Sequence, residues 1–135
     1  VCSSDLAVLM MDIDHFKSIN DRFGHAGGDR TLAYCARLLM NALRIDDILG
    51  RYGGEEFCAL LPMCSLEHAE KIANTIVIQA RVQNVALDTN QLAHYTLSIG
   101  VAINEDKEEL LTTIARADAA LYQAKNTGRD RVCLA

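Results

Sequence analysis

Two pairs of acidic residues stand where they could hold a cation: Asp12 and Asp14 at the end of an apolar run, and Glu55 and Glu56 directly after Gly53-Gly54. Donor sets made only of oxygen suit Mg²⁺ or Mn²⁺, and two-metal phosphoryl-transfer sites use such carboxylates to steady the attacking and leaving oxygens. Each pair also has an ordinary explanation. Surface turns are routinely acidic, and Gly-Gly before two glutamates describes a bare hairpin turn equally well. Residue type alone leaves both readings open.

The elements around these acids are legible. Leu6 to Ile13 is a continuous apolar run, suited to a strand buried on both faces with Asp12 and Asp14 at its carboxyl end. Phe16 to Gly24 reads as a short helix closed by glycine, Gly27-Gly28 as a turn, and Leu32, Cys35, Ala36, Leu39 and Leu43 as the apolar stripe of a following helix that runs to about Arg44. Ile48 to Tyr52 and Phe57 to Leu61 predict two short strands joined by the acidic tip, with Pro62 ending the second. Ser65 is placed to cap a helix whose stripe is Leu66, Ala69, Ile72, Ala73, Ile76, Val77 and Ala80. Residues 84 to 94 give only a small strand and loop. From Tyr95 to Ile103 apolar and small residues alternate with the period of a strand, Leu111 to Lys125 repeats at helical spacing, and Arg131 to Leu134 adds a closing strand. This order predicts an α+β domain, a mainly antiparallel sheet packed by helices.

Composition narrows the function. The chain has 135 residues, half of them hydrophobic and 23% charged, which suits one domain with a real core. A net charge of −5 argues against a general nucleic-acid binder, so a phosphate ligand has to be held by local cations. No apolar run reaches the ~20 residues of a membrane span, and no signal peptide opens the chain, so the expected location is the cytoplasm. The five cysteines are scattered and lack zinc spacing, and they read as reduced thiols, mostly buried. Val1 to Asp5 spells the translation of a common sequencing adapter and reads as foreign to the domain.

Asp12-Ile13-Asp14-His15-Phe16-Lys17-Ser18-Ile19-Asn20-Asp21, followed by Gly24-His25-Ala26-Gly27-Gly28-Asp29, resembles the first signature of the GGDEF family, and Arg51-Tyr52-Gly53-Gly54-Glu55-Glu56-Phe57 resembles the second. Ser98-Ile99-Gly100-Val101-Ala102, and Ala117 to Lys125 with Gly128-Arg129, resemble two later motifs. The resemblance covers residues 6 to 135. It lacks the helix and the D-x-L-T-x-L-x-N-R-like motif that family members usually carry ahead of the first strand.

The resemblance implies a palm-like fold similar to nucleotidyl cyclase catalytic domains, and a diguanylate cyclase reaction that joins two GTP molecules into cyclic di-GMP with release of pyrophosphate. It implies Mg²⁺ or Mn²⁺, two per site, held by Asp12, Glu55 and the carbonyl of Ile13, with Glu55 and Glu56 as catalytic residues. It makes Phe16, Lys17, Asn20, His25, Asp29, Lys125 and Arg129 substrate contacts, of which Asn20 and Asp29 read guanine and the cations take phosphate. Read without the family, Asp29 caps a helix, His25 is a turn histidine, Lys17 is a solvated side chain, and Lys125 with Arg129 complements a helix C-terminus. His15, His68 and Asp118 have no functional case of their own.

Arg44 and Asp47 form an R-x-x-D pattern with five residues between Asp47 and Gly53. In the family that placement marks an inhibitory site for cyclic di-GMP. Each domain resembles a half-site for one GTP, which implies a homodimer for catalysis. The alternative reading is a catalytically silent module that binds GTP or cyclic di-GMP.

Overall fold

The computed structural model describes residues 5–135; of the segment 1–5 read as foreign, all but Asp5 lies outside that range. Strand β1 (Leu6–Ile13) is central in a five-stranded sheet ordered β2-β3-β1-β6-β7. The other members are β2 (Ile48–Arg51), β3 (Glu56–Pro62), β6 (Leu97–Ile103) and β7 (Arg131–Leu134). The pairings are antiparallel except β6 with β7, which is parallel. Between the sheet strands run α1 (Phe16–Ala42), α2 (Leu66–Val82), the small hairpin β4 (Val85–Ala86) and β5 (Leu92–Ala93), and α3 (Leu110–Asn126). The fold is the expected α+β arrangement, with a mainly antiparallel sheet flanked by helices.

Alternation along β1 divides the core. Ala7, Leu9, Met11 and Ile13 join the larger cluster with Leu39 of α1 and Ile76 of α2, whereas Val8 and Met10 face Ala117 and Leu121 of α3. Both faces of the strand are therefore buried, which is why its sequence is uniformly apolar although its neighbours are antiparallel. By the same alternation Asp12 points to the α3 face. Lys125 lies one turn beyond Leu121 and meets it there.

Local signals explain most helix limits. Ser65 caps α2, its hydroxyl accepting from the His68 N–H at 3.1 Å. The start of α1 departs from expectation. The break at Gly24, where φ is 76° and ψ is 173°, falls where the first helix was expected to close, but Gly27-Gly28 is helical and buried where a turn was expected. Packing accounts for the glycines: a Cβ on Gly27 would stand 2.4 Å from the Phe23 Cβ, and one on Gly28 would stand 1.8 Å from the Asn20 Oδ1. The ladder of β6 also begins at Leu97, two residues after Tyr95.

α3 approaches β6 most closely at Gly100. A Cβ there would lie 2.1 Å from the Ala117 carbonyl oxygen and 2.3 Å from the Leu121 nitrogen, both of them backbone atoms. Gly100→Ala is therefore expected to cost about 2–3 kcal/mol, checked as a lower urea midpoint with an unchanged slope. The four cysteines among the described residues are free thiols, and burial pushes the Cys35 thiol up to about 12, where it is unreactive.

Candidate active site

Asp12 closes β1 and is 4% exposed. In register it stands opposite Glu56 on one side and Ser98 on the other. Directly paired residues in an antiparallel ladder project to the same face, so the Glu56 side chain shares the face of Asp12. Glu55 precedes Glu56 at the hairpin tip, and its carbonyl accepts the Ile13 N–H at 3.3 Å. The strand end and the acidic tip are thus joined through the backbone.

The electrostatics record this crowding. Burial, opposed by the hydrogen bond and charge of Lys125 and reinforced by the charges of Glu55 and Glu56, raises the Asp12 carboxyl from 3.8 to about 6. The Lys125 ammonium binds its Oδ2, while Oδ1 is buried without a hydrogen-bond partner. Among the described residues no three His, Cys, Asp or Glu side chains form a closed ligand set. A buried orphan oxygen, two glutamates within range of its charge and an all-oxygen donor set fit a cation that keeps part of its shell for water and substrate, as Mg²⁺ does.

Asp14 is placed differently from Asp12. Its Oδ1 accepts from the Ser98 hydroxyl at 2.7 Å, and its Oδ2 accepts from the Thr96 hydroxyl at 2.7 Å and the Asp130 N–H at 2.9 Å. Type and spacing made the two aspartates equivalent; their partners separate them. Glu56 closes the hairpin as well, its carbonyl accepting from Tyr52 N–H at 2.8 Å and Gly53 N–H at 3.4 Å.

Phe16 opens α1 and packs with Asn20 against Gly28, the residue before Asp29. Asp29 is not a helix cap, since it lies inside α1. It is exposed beside a pocket of about 260 Å³ lined also by Leu32, Ala33, Ala36, Arg51 and Phe57. Sequence reasoning missed Arg51. Its guanidinium donates to the Gly54 carbonyl, through Nε at 3.0 Å and also through Nη2, so it ties the hairpin tip to this pocket. Lys17 and His25 are exposed on the same stretch of α1, His25 directly after the break at Gly24.

Arg129 follows α3 in a loop with left-handed backbone at Arg129 (φ 61°) and Asp130 (φ 51°). Its Nη1 donates to the Lys125 carbonyl at 3.4 Å, so the two cations are neighbours. Arg44 and Asp47 stand apart, between α1 and β2. Asp47 accepts from the Arg44 N–H at 2.8 Å and from its Nη2 at 2.9 Å, and the same Nη2 reaches the Pro62 carbonyl at 2.8 Å. The Asp47 side chain is fully enclosed while Arg44 remains 40% exposed, beside a pocket of about 320 Å³. No helix among the described residues is long and apolar enough to cross a membrane.

Comparison with known proteins agrees with this geometry. Residues 2–131 match the family described as "Diguanylate cyclase, GGDEF domain". The chain is 43% identical over 133 residues to diguanylate cyclase DgcM of Escherichia coli, covering 98% of this chain and 32% of that protein. It is 41% identical over 130 residues to diguanylate cyclase A of Treponema denticola, covering 96% and 35% respectively. It therefore spans about a third of the length of these curated relatives. Among solved structures, the GGDEF domain of DgcB from Caulobacter crescentus in complex with c-di-GMP aligns with a TM-score of 0.93 at 31% identity, over 97% of this chain and 78% of that one. The active GGEEF domain of a diguanylate cyclase from Vibrio cholerae aligns with a TM-score of 0.89 at 34% identity, over 97% and 83%. With its strand-end aspartate, glycine-glutamate hairpin and sheet order in place, the chain belongs to the GGDEF domain family.

Proposed function

We propose that this domain is a diguanylate cyclase, condensing two GTP into cyclic di-GMP and releasing two pyrophosphates. The observation that carries the reading is Asp12: a buried carboxylate with one orphan oxygen, flanked by Glu55 and Glu56 and faced by Lys125. Asp12, Glu55 and the Ile13 carbonyl are the groups that would hold Mg²⁺ or Mn²⁺. The cation supplies charge neutralisation on the phosphates and lowers the pKa of the attacking hydroxyl.

In this reading the 3′-hydroxyl of one GTP attacks the α-phosphorus of the other, and the step is repeated to close the ring. Asn20 and Asp29 take the guanine edge, the Asp29 carboxylate accepting from N1 and N2 where adenine would present an acceptor. Phe16 shapes that end of the pocket. Lys17, Lys125 and Arg129 hold the phosphates, with His25 near the substrate, and Glu55 or Glu56 receives the hydroxyl proton. Because each domain offers one such constellation, two copies must face each other across the product.

Incubation with GTP and Mg²⁺ tests the proposal. A cyclic dinucleotide with two pyrophosphates is the expected result, and nucleotide binding without turnover would favour the silent-module reading instead. Product inhibition belongs to the same proposal, with Arg44 and Asp47 as its site; the similar GGDEF domain of DgcB from Caulobacter crescentus is a complex with c-di-GMP. Asp47 fixes the guanidinium in advance, which lowers the ordering cost of binding an anionic product. Arg44→Ala is expected to raise the inhibition constant for cyclic di-GMP at least about tenfold, the loss of one bidentate charged contact. Inhibition assays against added product check this.

A further inference from the structure

We propose that Asp14 is a positioning residue that sets the phosphate-binding cations of the active site by anchoring the loop behind them. The inference rests on the function proposed above. Asp14 is 4% exposed and its carboxylate accepts three hydrogen bonds, so it is spent as a brace and has little left to offer a cation. Two of the donors, Thr96 and Ser98, flank Leu97, the first residue of β6. The third, the N–H of Asp130, belongs to the loop that carries Arg129.

That loop needs an anchor. Arg129 and Asp130 both adopt left-handed backbone, which costs a residue with a Cβ about 1–2 kcal/mol and persists only where surrounding contacts impose it. Three contacts do so. The Arg129 N–H closes the end of α3 on the Ala124 carbonyl at 2.9 Å. The Asp130 N–H is held by Asp14, and the Asp130 carboxylate accepts from Arg81 Nε of α2 at 2.9 Å.

One tripeptide therefore serves both ends of the phosphate site. Asp12 engages the Lys125 ammonium, and Asp14, two residues on, fixes the main chain next to Arg129. Arg129 in turn lies against the Lys125 carbonyl. Loss of the Asp14 brace frees the loop to leave its strained conformation, and the contacts that suffer are those to the β- and γ-phosphates. Those to the base, which come from α1 on the other side of the strand end, are spared.

The test is a ligand series on the chain, comparing a non-hydrolysable GTP analogue with GMP in Mg²⁺. Asp14→Ala is expected to weaken the triphosphate at least about tenfold while changing GMP less than about twofold. Asp14→Asn keeps an acceptor for the Asp130 N–H and should recover most of the loss. Should Asp14→Ala fail to fold, Arg81→Ala decides the matter, because Arg81 is half exposed and its removal releases only the second tether; a smaller loss with the same preference is expected. Equal losses for both ligands in the folded variants, or no loss of triphosphate affinity, would overturn the inference and leave the cyclase reading intact. Wild-type protein that binds neither nucleotide would overturn both.

Discussion

Replacement of Glu55 by alanine is expected to lower GTP turnover at least about a hundredfold, the scale on which removal of one group aimed at transition-state charge acts. The fold should survive the change. Glu55 fixes the hairpin to β1 through its backbone carbonyl, which accepts from Ile13, and alanine keeps that bond. Its side-chain charge, by contrast, disfavours the ionised form of Asp12, so its loss relieves repulsion. Turnover and thermal unfolding should therefore separate, with activity lost and the midpoint unchanged or slightly higher. Glu55→Gln keeps the shape and removes the charge, and it should fail nearly as badly if the carboxylate's charge is what matters. Glu56→Gln makes an informative partner, because Glu56 faces Asp12 in register yet also leans over Gly53, where a Cβ would sit 3.2 Å from its Oε2. Near-normal turnover of Glu55→Ala, measured as pyrophosphate released per domain, would remove Glu55 from the site.

The parts of this site that were legible in the sequence are those encoded locally. The apolar run of β1 announced a doubly buried strand, the stripe of α2 a packed helix, and the Gly53 to Phe57 segment a hairpin, because each depends on neighbours within a few residues. What failed depended on side-chain contacts that residue type and periodicity do not reveal, some near in the chain and some far. Gly27 and Gly28 have low helix propensity and read as a turn, but both lie inside α1, where Phe23 and Asn20 leave no room for a Cβ. By type and spacing alone Asp14 could not be told from Asp12, since its hydroxyl partners are 82 and 84 residues away and its loop partner 116. Arg51 entered only as part of a motif, and the hairpin's closure is what turns it onto the Gly54 carbonyl. The family motifs imply roles for single residues. They single out Asp12 for the metal and leave Asp14 without a role, and its bracing is visible only in its three hydrogen bonds.

Asp12→Asn should abolish turnover in Mg²⁺ yet, near neutral pH and without metal, make the protein more stable. The Asp12 carboxyl is raised from 3.8 to about 6 chiefly by burial, with Glu55 and Glu56 adding to the rise and Lys125 opposing it. A group whose folded pKa exceeds its unfolded value binds its proton more tightly in the folded state. Its contribution to stability is therefore complete below pH 3.8 and disappears as pH rises through about 6. At pH 7.5 the wild-type fold carries an ionised, partly desolvated carboxylate beside two others. Asparagine is neutral at every pH, nearly isosteric, and still able to accept from Lys125. Unfolding in the presence of a chelator should accordingly show a higher midpoint for Asp12→Asn at pH 7.5, with the difference shrinking toward pH 4. A lower midpoint at pH 7.5 would mean that the Lys125 pair outweighs burial and repulsion together. Added Mg²⁺ should then reverse the order, because a cation that binds only the folded state stabilises the protein whose site retains the carboxylate. The burial that makes Asp12 costly without a cation is also what makes a cation valuable there, since charges interact more strongly where water is excluded.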